Sequence, residues 1–225
     1  LNVSRTLDAR KPQMNQRVQV QVMGSSESLT SNVNTVSLNV IQNNNWNIAV
    51  NDQKPSSTLG NKLLFQQMNL VFPGNNEFYY FDNMNGSFDM IAGGETIDNV
   101  NYTYLFPVLA YPLNYQYMPD VNGAFYFRRN DLGIERDANR EADYSWVYFA
   151  LDSEKTDKDL YVLGAFNDFT PSKENQMLYD EAKKKYIAKI YLKQGFYNYM
   201  LATKDADGTL NYGEVNGNFW QTENL

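Results

Sequence analysis

The stretch that decides the fold of this chain reads Leu160-Tyr-Val-Leu-Gly-Ala-Phe-Asn-Asp-Phe169, then a polar interval, then Tyr186-Ile-Ala-Lys-Ile-Tyr-Leu-Lys-Gln-Gly-Phe-Tyr-Asn-Tyr-Met-Leu-Ala202. Its second part alternates with the two-residue period of a half-buried β-strand. One face of that strand is apolar and consists of Tyr186, Ala188, Ile190 and Leu192. The opposite face consists of Ile187, Lys189, Tyr191 and Lys193. Because Tyr191 shares its face with two lysines, we expect its ring to be exposed. Gly195 then closes a turn, and residues 196–202 run back as a second strand.

The rest of the chain repeats the strand pattern. Residues 17–22 and 35–40 alternate strictly between polar and apolar, and residues 77–82, 101–106 and 144–151 have the aromatic composition that strands favour. Strands recur about every 8–12 residues, and no segment keeps a helical period over a helical length. We therefore expect an all-β fold of two antiparallel β-sandwich domains, with Gly93-Gly94 interpreted as a turn.

A charge-dense segment at residues 128–143 is the predicted boundary between the two domains. The expected division is a linker or remnant of an upstream domain at 1–14, a β-sandwich domain at 15–140 and a second sandwich domain at 141–225.

The charge balance excludes two classes of partner. The 225 residues include 26 acidic and 19 basic side chains, for a net charge of −7. Nucleic-acid binding needs a basic patch that displaces counterions, so no nucleic-acid partner is expected. Docking on an anionic membrane surface is disfavoured for the same reason. No apolar run approaches the roughly 20 residues that span a bilayer, so we expect no membrane insertion.

The absence of histidine and cysteine from the sequence argues against an enzyme. It excludes disulfides, thiol nucleophiles, a Ser-His-Asp triad and histidine-containing zinc sites within the chain. Glu141 and Asp143 are better explained as a solvated boundary than as a glycosidase pair. Asp205, Asp207 and Gly208 fit a plain turn, since the acid that completes a calcium loop is missing. We expect no catalytic residue, no metal and no cofactor.

Aromatic side chains are the strongest candidates for ligand contacts, because flat rings stack on sugars and anchor protein interfaces. Aromatic residues make up 15% of the sequence, which is a high share. Core and cross-strand packing is the alternative role expected for most of them. The candidate interaction residues are Trp46, Tyr79, Phe169, Tyr191 and Trp220.

Part of the C-terminal half resembles the early-set immunoglobulin-like domain of glycogen-binding modules. The resemblance is carried by residues 162–169, Met177, residues 186–192, residues 195–199 and Asp207-Gly208. In that family two tryptophans stack on α-glucan; here Phe169 and Leu210 stand at their positions. The resemblance implies an early-set immunoglobulin-like fold for residues 141–225. It also implies an alternative function, a carbohydrate-binding accessory module with a glycan as its ligand.

A second resemblance covers nearly the whole chain and rests on the order of short motifs. These are Asn15-Gln-Arg-Val18, Ile41-Gln42 followed by Trp46, Phe72-Pro-Gly-Asn-Asn-Glu-Phe78 with Phe81-Asp82, Asp120-Val-Asn-Gly123, Glu141-Ala-Asp-Tyr144, Lys193-Gln-Gly-Phe-Tyr-Asn-Tyr199 and Thr222-Glu-Asn224. In this order they are similar to the type IX secretion system plug family of Bacteroidota, formerly a domain of unknown function.

The second resemblance implies a location and a partner. Family members are exported across the inner membrane, so we expect a periplasmic protein associated with the outer membrane. The expected function is a non-catalytic plug or gating component that occludes the periplasmic mouth of the outer-membrane translocon barrel by protein-protein contact. Residues 51–61, 73–76 and 107–119 are candidate contact loops. The family carries a further N-terminal domain and continues past Thr-Glu-Asn into a final strand, so a fragment or processed form is expected.

Overall fold

The computed structural model describes residues 2–7, 15–23, 36–59, 62–73, 76–83, 90–110, 112, 114–118, 120–127 and 137–219. These residues are predominantly β, which confirms the predicted all-β class. The strands of two small sheets are β1 (Asn2–Leu7), β2 (Asn15–Met23), β3 (Leu38–Gln42), β4 (Asn45–Gln53), β5 (Ser57–Leu59) and β6 (Lys62–Pro73). One small sheet has the order β1-β2-β6-β5, and β3 pairs with β4 as the other.

The remaining strands of the described part form one large sheet. They are β7 (Tyr79–Asp82), β8 (Ile91–Ile97), β9 (Val100–Leu105), β10 (Val108–Leu109), β11 (Phe125–Phe127), β12 (Tyr144–Asp152), β13 (Asp159–Leu163), β14 (Gln176–Asp180), β15 (Lys185–Lys193), β16 (Gly195–Lys204) and β17 (Leu210–Asn211). In the described residues two single-turn α-helices accompany them, α1 (Ala138–Glu141) and α2 (Gly213–Asn216), together with a 3₁₀ turn at Ala165–Asn167. Eight of the strands follow one another in the order β11-β16-β13-β14-β15-β12-β9-β8 and make a nearly closed, barrel-like sheet.

The prediction of two antiparallel immunoglobulin-like sandwich domains is wrong, because strands from both sides of residue 140 share this sheet. Strands β7 and β11 pair with β16, and β9 and β10 pair with β12 in parallel. The parallel register joins Ser145 to Asn101 and Tyr148 to Tyr104. Alternation in a sequence assigns side chains to the two faces of a strand, but it does not identify the neighbouring strand.

Strands β15 and β16, which the sequence predicted to run back on each other through a turn at Gly195, do not pair with each other in the described residues. Strand β15 lies between β14 and β12, whereas β16 lies between β13 and β11. Gly195 is needed at this crossing for a different reason from a turn: a Cβ there would clash with the backbone carbonyl of Tyr126. The glycine therefore allows β11 and β16 to approach closely.

The turns of two hairpins use residues with positive φ. Asn43 and Asn44 join β3 to β4 with φ values of 53° and 60°. Asp98 and Asn99 join β8 to β9 with φ values of 50° and 62°. Both pairs fit the two-residue turn in which both central residues are left-handed. Gly93-Gly94 lies inside β8 and not in a turn, which corrects the interpretation made from the sequence.

The interior of the barrel-like sheet is filled with aromatic and aliphatic side chains. Phe81 is fully buried, stacks on Tyr197 with ring centroids 5.0 Å apart, and meets the ring of Phe149 edge-on. Inward side chains of β12 alternate with outward ones, so that Val147, Phe149 and Leu151 are buried. Because every second side chain of β9, β12 and β15 points into this interior, the alternate side chains point outward. Those outward side chains form the candidate site.

Candidate functional site

The outer surface of β9, β12 and β15 carries an array of aromatic rings and lysines, which we call the aromatic-lysine face. Its members are Tyr102 and Tyr104 from β9, Tyr144, Trp146 and Tyr148 from β12, and Lys189, Tyr191 and Lys193 from β15. Each strand contributes every second residue, because successive side chains point to opposite faces. The inward neighbours on β12 are buried, so the rings of this array are held on the outside.

Strand register arranges the array in rows across the sheet. Tyr104, Tyr148 and Lys189 form one row. Tyr102, Trp146 and Tyr191 form the next row, followed by Tyr144 opposite Lys193. Neighbouring strands lie about 4.8 Å apart, so side chains within a row are in contact.

The rings of the array pack on one another and under the lysines. The rings of Tyr144 and Tyr191 are stacked with centroids 5.0 Å apart, and Tyr191 also lies 4.8 Å from Trp146. Tyr104 stacks on Tyr148 at 4.9 Å. The Lys189 ammonium lies 4.3 Å from the centroid of Trp146 and 5.5 Å from that of Tyr148.

The four central rings each contact two other groups of the array, either a ring or a lysine ammonium. These rings are Tyr144, Trp146, Tyr148 and Tyr191. A ring face that is covered by another ring or by an ammonium group is not free to stack on a sugar. The face presents a rigid, amphipathic surface of ring edges, hydroxyl groups and cations. Its tyrosine and tryptophan rings are of the residue types enriched at protein interfaces.

The two lysines of the face lack acidic partners. Within the described part of the chain, neither Lys189 nor Lys193 forms an ion pair with a carboxylate. Lys193 instead donates a hydrogen bond to the carbonyl of Asn139, and its ammonium lies 5.4 Å from the ring of Tyr144. The rows end at β8, where the acidic residue Glu95 lies opposite Tyr102 of β9.

Glu95 is engaged at the edge of the array. Its Oε1 accepts a hydrogen bond from the Tyr104 hydroxyl at 2.6 Å. This hydrogen bond, followed by desolvation and the charge of Glu95, raises the pKa of Tyr104 to about 12. The hydroxyl stays protonated at neutral pH and holds the carboxylate at the β8 edge of the array, three strands from Lys189.

The structure separates the five candidate residues that were named from the sequence. Tyr191 is 51% exposed, as expected, and lies within the aromatic-lysine face. Trp46 is 65% exposed but lies on β4, in the separate hairpin. Tyr79 is 8% exposed and packs in the interior, where burial raises its pKa to about 12. Trp220 lies outside the described residues.

Phe169 is covered by the chain itself. It is 3% exposed and meets the ring of Phe78 edge-on with centroids 6.4 Å apart. Leu210, at the other position that is tryptophan in glycogen-binding modules, packs against the same cluster. Neither residue offers an open ring for a glucan to stack on.

The candidate contact loops are only partly within the described residues. Residues 60–61, 74–75, 111, 113 and 119 lie outside them. Within the candidate loop at 107–119, Val108 and Leu109 form β10 and extend the parallel pairing with β12. Leu109 and Tyr117 are exposed.

The sequence interpretation missed most of the aromatic-lysine face, although the signal was present. In residues 144–151, Tyr144, Trp146 and Tyr148 alternate with Val147, Phe149 and Leu151. The aliphatic and phenylalanine set is more suited to a dry core, whereas tyrosine and tryptophan keep a polar group that tolerates water. This comparison of the two alternating sets identifies the outward one.

The described residues contain neither a metal-binding cluster nor a membrane-spanning helix. No cluster of three or more acidic side chains in these residues is arranged to hold a metal ion. No helix among them has the length and apolar character to cross a membrane.

A similar fold is seen in the crystal structure of a hypothetical protein from Parabacteroides merdae ATCC 43184. It aligns with a TM-score of 0.75 and 26% sequence identity, over 98% of this chain and 57% of that chain. This chain therefore spans little more than half the length of that protein. No protein-family model matches the sequence, and no curated protein matches it.

Proposed function

We propose that this chain is a non-catalytic component of the type IX secretion translocon that occludes the periplasmic mouth of the outer-membrane barrel by protein-protein contact. The translocon as partner, and the periplasmic location at the outer membrane, rest on the ordered motifs that resemble the plug family. The aromatic-lysine face is the observation that supports protein binding.

The composition of this face favours a protein ligand. Tyrosine and tryptophan dominate the energetically important positions of protein interfaces. Tyr144 and Tyr191 are both exposed large aromatics in an array that the chain leaves uncovered by its described residues. Three hydrogen-bonded strands hold the rings, so little conformational entropy is lost when a partner binds.

The mechanism that follows is steric. A rigid sheet surface placed across a pore blocks passage without any chemical step. If the chain binds the closed barrel more tightly than the open one, it also shifts the gate toward closure by that difference in affinity.

The glycan-binding alternative has less support. Phe169, the residue expected to stack on a sugar, is buried against Phe78. The central rings of the aromatic-lysine face use their own faces to contact one another and the lysines. Neither region matches the open, flat platform that α-glucan stacking requires.

The test is capture of the barrel from solubilised outer membranes of a Bacteroidota bacterium that has this secretion system. Tagged wild-type chain is expected to recover the barrel subunit, identified by mass spectrometry. The double variant Trp146→Ala/Tyr191→Ala is expected to recover about tenfold less, because both changes remove central interface aromatics.

Tyr126→Ala is the matched control. Tyr126 is an exposed ring stacked on Phe196 with centroids 5.1 Å apart, but on a different part of the sheet. This variant is expected to recover as much barrel as wild type. The proposal is rejected if wild-type chain recovers no barrel subunit under conditions that preserve the translocon.

A further inference from the structure

The lysines of the aromatic-lysine face differ from the ion-paired lysines elsewhere on the same sheet. Lys155 pairs with Glu181 at 2.7 Å, Lys158 with Glu214 at 2.8 Å, and Lys185 with Asp152 at 3.2 Å. Among the described residues, Lys189 and Lys193 have no such partner. In a chain with a net charge of −7, these are two positive charges with which no carboxylate of the described residues forms an ion pair.

Both ammonium groups are held by contacts other than ion pairs. Lys189 lies over Trp146 and Tyr148, and Lys193 lies near Tyr144 and Phe127 while donating to the Asn139 carbonyl. Contacts with ring faces orient a lysine without neutralising it. An incoming anion therefore meets two positioned charges, and less side-chain entropy is lost on binding.

The spacing of the two lysines defines the shape of a complementary ligand. They are four residues apart on β15, which corresponds to about 13 Å along a strand. An extended polypeptide has side chains four residues apart at the same separation and on the same face. Tyr191 lies between the two lysines on the same face of β15. The ligand side chain midway between the two that reach the lysines would therefore contact the Tyr191 ring.

The surface continues past Lys189 into a shallow depression of about 580 Å³, lined in part by Tyr104, Tyr148, Ile187 and Lys185. This depression lies on the same outer side as the rows of rings. It extends the surface along β12 and β15, as a ligand lying parallel to these strands requires.

From this charge complementarity we propose that the aromatic-lysine face binds an extended acidic segment of a protein partner, with two carboxylates four residues apart placed on Lys189 and Lys193. Identifying that partner with the translocon barrel rests on the proposed function; the chemistry of the segment does not. An acidic polypeptide fits better than a nucleic acid, because two lysines on an acidic chain do not make the extended basic patch that phosphate backbones require.

The direct test uses fluorescence anisotropy of labelled peptides with the whole chain. One probe is a short extended peptide with two glutamates four residues apart; the second replaces both with glutamine. Wild-type chain is expected to bind the glutamate peptide saturably, and the Lys189→Gln/Lys193→Gln variant about fivefold to tenfold more weakly, as two exposed ion pairs would allow. Raising the salt concentration is expected to reduce wild-type binding through screening.

Two controls separate charge from packing. Lys189→Arg/Lys193→Arg keeps both charges and the ring contacts, and is expected to bind like wild type. Lys155→Gln removes a lysine that also lies near an aromatic ring, 5.7 Å from the centroid of Tyr179, but that is paired with Glu181. This variant is expected to leave peptide binding unchanged.

Three results would overturn the inference: no saturable binding of the glutamate peptide by wild type, equal binding of the two peptides, or equal binding by wild type and the double glutamine variant. A thymidylate oligonucleotide that binds more tightly than the glutamate peptide would show a general polyanion site instead, which also overturns it.

Barrel capture and peptide binding together distinguish this inference from the proposed function. If wild type captures the barrel but fails the peptide criteria, the acidic-segment inference fails and the plug proposal stands. If wild type captures no barrel but meets the peptide criteria, the plug proposal fails and the acidic-segment inference stands.

Discussion

Two regions on the outside of the large sheet follow the same alternating pattern but differ in what covers them. Over β13 and β16, the outward side chains are buried beneath loops of the chain itself: Tyr161, Leu163, Met200 and Ala202 lie under Phe78 and Phe169. Over β9, β12 and β15, the outward rings remain accessible, with Tyr144 and Tyr191 among the exposed large side chains.

The difference matches the composition of the two regions. Apart from Tyr161, the outward side chains of the covered region are leucine, methionine and alanine, which carry no polar group that has to stay hydrated. The open region contains tyrosine, tryptophan and lysine, which combine apolar surface with a group that stays hydrated. The strands that carry the open region are as regular as those that carry the covered region. Regular strand structure alone therefore does not distinguish a covered surface from an open one. The chain covers the surface that has to be dry and leaves open the one that tolerates water.

The largest expected effect comes from the shared interior beneath both regions. Phe81→Ala removes a fully buried ring that contacts Tyr197 and Phe149. We expect the free energy of unfolding to fall by about 3–5 kcal/mol, measured by denaturant titration. A loss below about 1 kcal/mol would contradict the placement of this ring in a close-packed interior.

The covered region gives the next effect. Phe169→Ala opens a cavity beside Phe78 in the smaller cluster, and we expect a loss of about 3 kcal/mol in the same titration. Capture of the barrel by the folded variant should not change, since the ring is inaccessible. A loss of capture with stability unchanged would show instead that Phe169 belongs to a binding surface.

Alkaline pH probes buried tyrosines. Burial raises the pKa of Tyr79 to about 12, and it also raises the pKa values of Tyr197 and Tyr199. A raised pKa means that the folded state holds the proton more tightly than the unfolded state, whose tyrosines titrate near pH 10. The resulting stability is complete below about pH 10 and is lost as pH rises toward 12.

For Tyr79 alone this loss is about 2–3 kcal/mol. Denaturant titrations at increasing pH should show the decline, and Tyr79→Phe should make it shallower because phenylalanine carries no titrating group. A Tyr79→Phe decline as steep as that of wild type would contradict the assignment.

The open region gives the smallest effect on stability. Tyr191→Ala loses contacts with Tyr144 and Trp146 but leaves no closed cavity, because the ring is already half exposed. We expect a loss of about 1 kcal/mol in denaturant titration. A loss equal to that of Phe169→Ala would remove the contrast between the two regions. A larger effect on barrel capture than on stability would sharpen it.

Local properties of the strands could be predicted from the sequence. Residues 186–192 alternate so regularly that both faces of β15 were assigned correctly, with Ala188 and Leu192 buried and Lys189 and Tyr191 exposed. The strand at 144–151 was also identified. The period of two depends only on backbone geometry, so neighbours along the chain are sufficient to reveal it.

Partners across the sheet could not be predicted in the same way. Nothing within residues 101–106 indicates that they lie parallel to β12, because that pairing depends on a distant segment. Phe169 has the surroundings of an exposed loop residue until Phe78 is placed against it. The aromatic-lysine face required the register of three strands to be known, which a single alternating segment does not supply.

The pairing of β7 and β11 with β16 also determines when the chain can fold. During synthesis from the N-terminus, β7, β10 and β11 emerge well before β12 and β16, the strands that complete their pairing. Such contacts between distant segments slow folding and leave aromatic strands exposed in the meantime. The main sheet cannot be completed until residues 195–204 have emerged. For that interval its unpaired aromatic strands are vulnerable to aggregation.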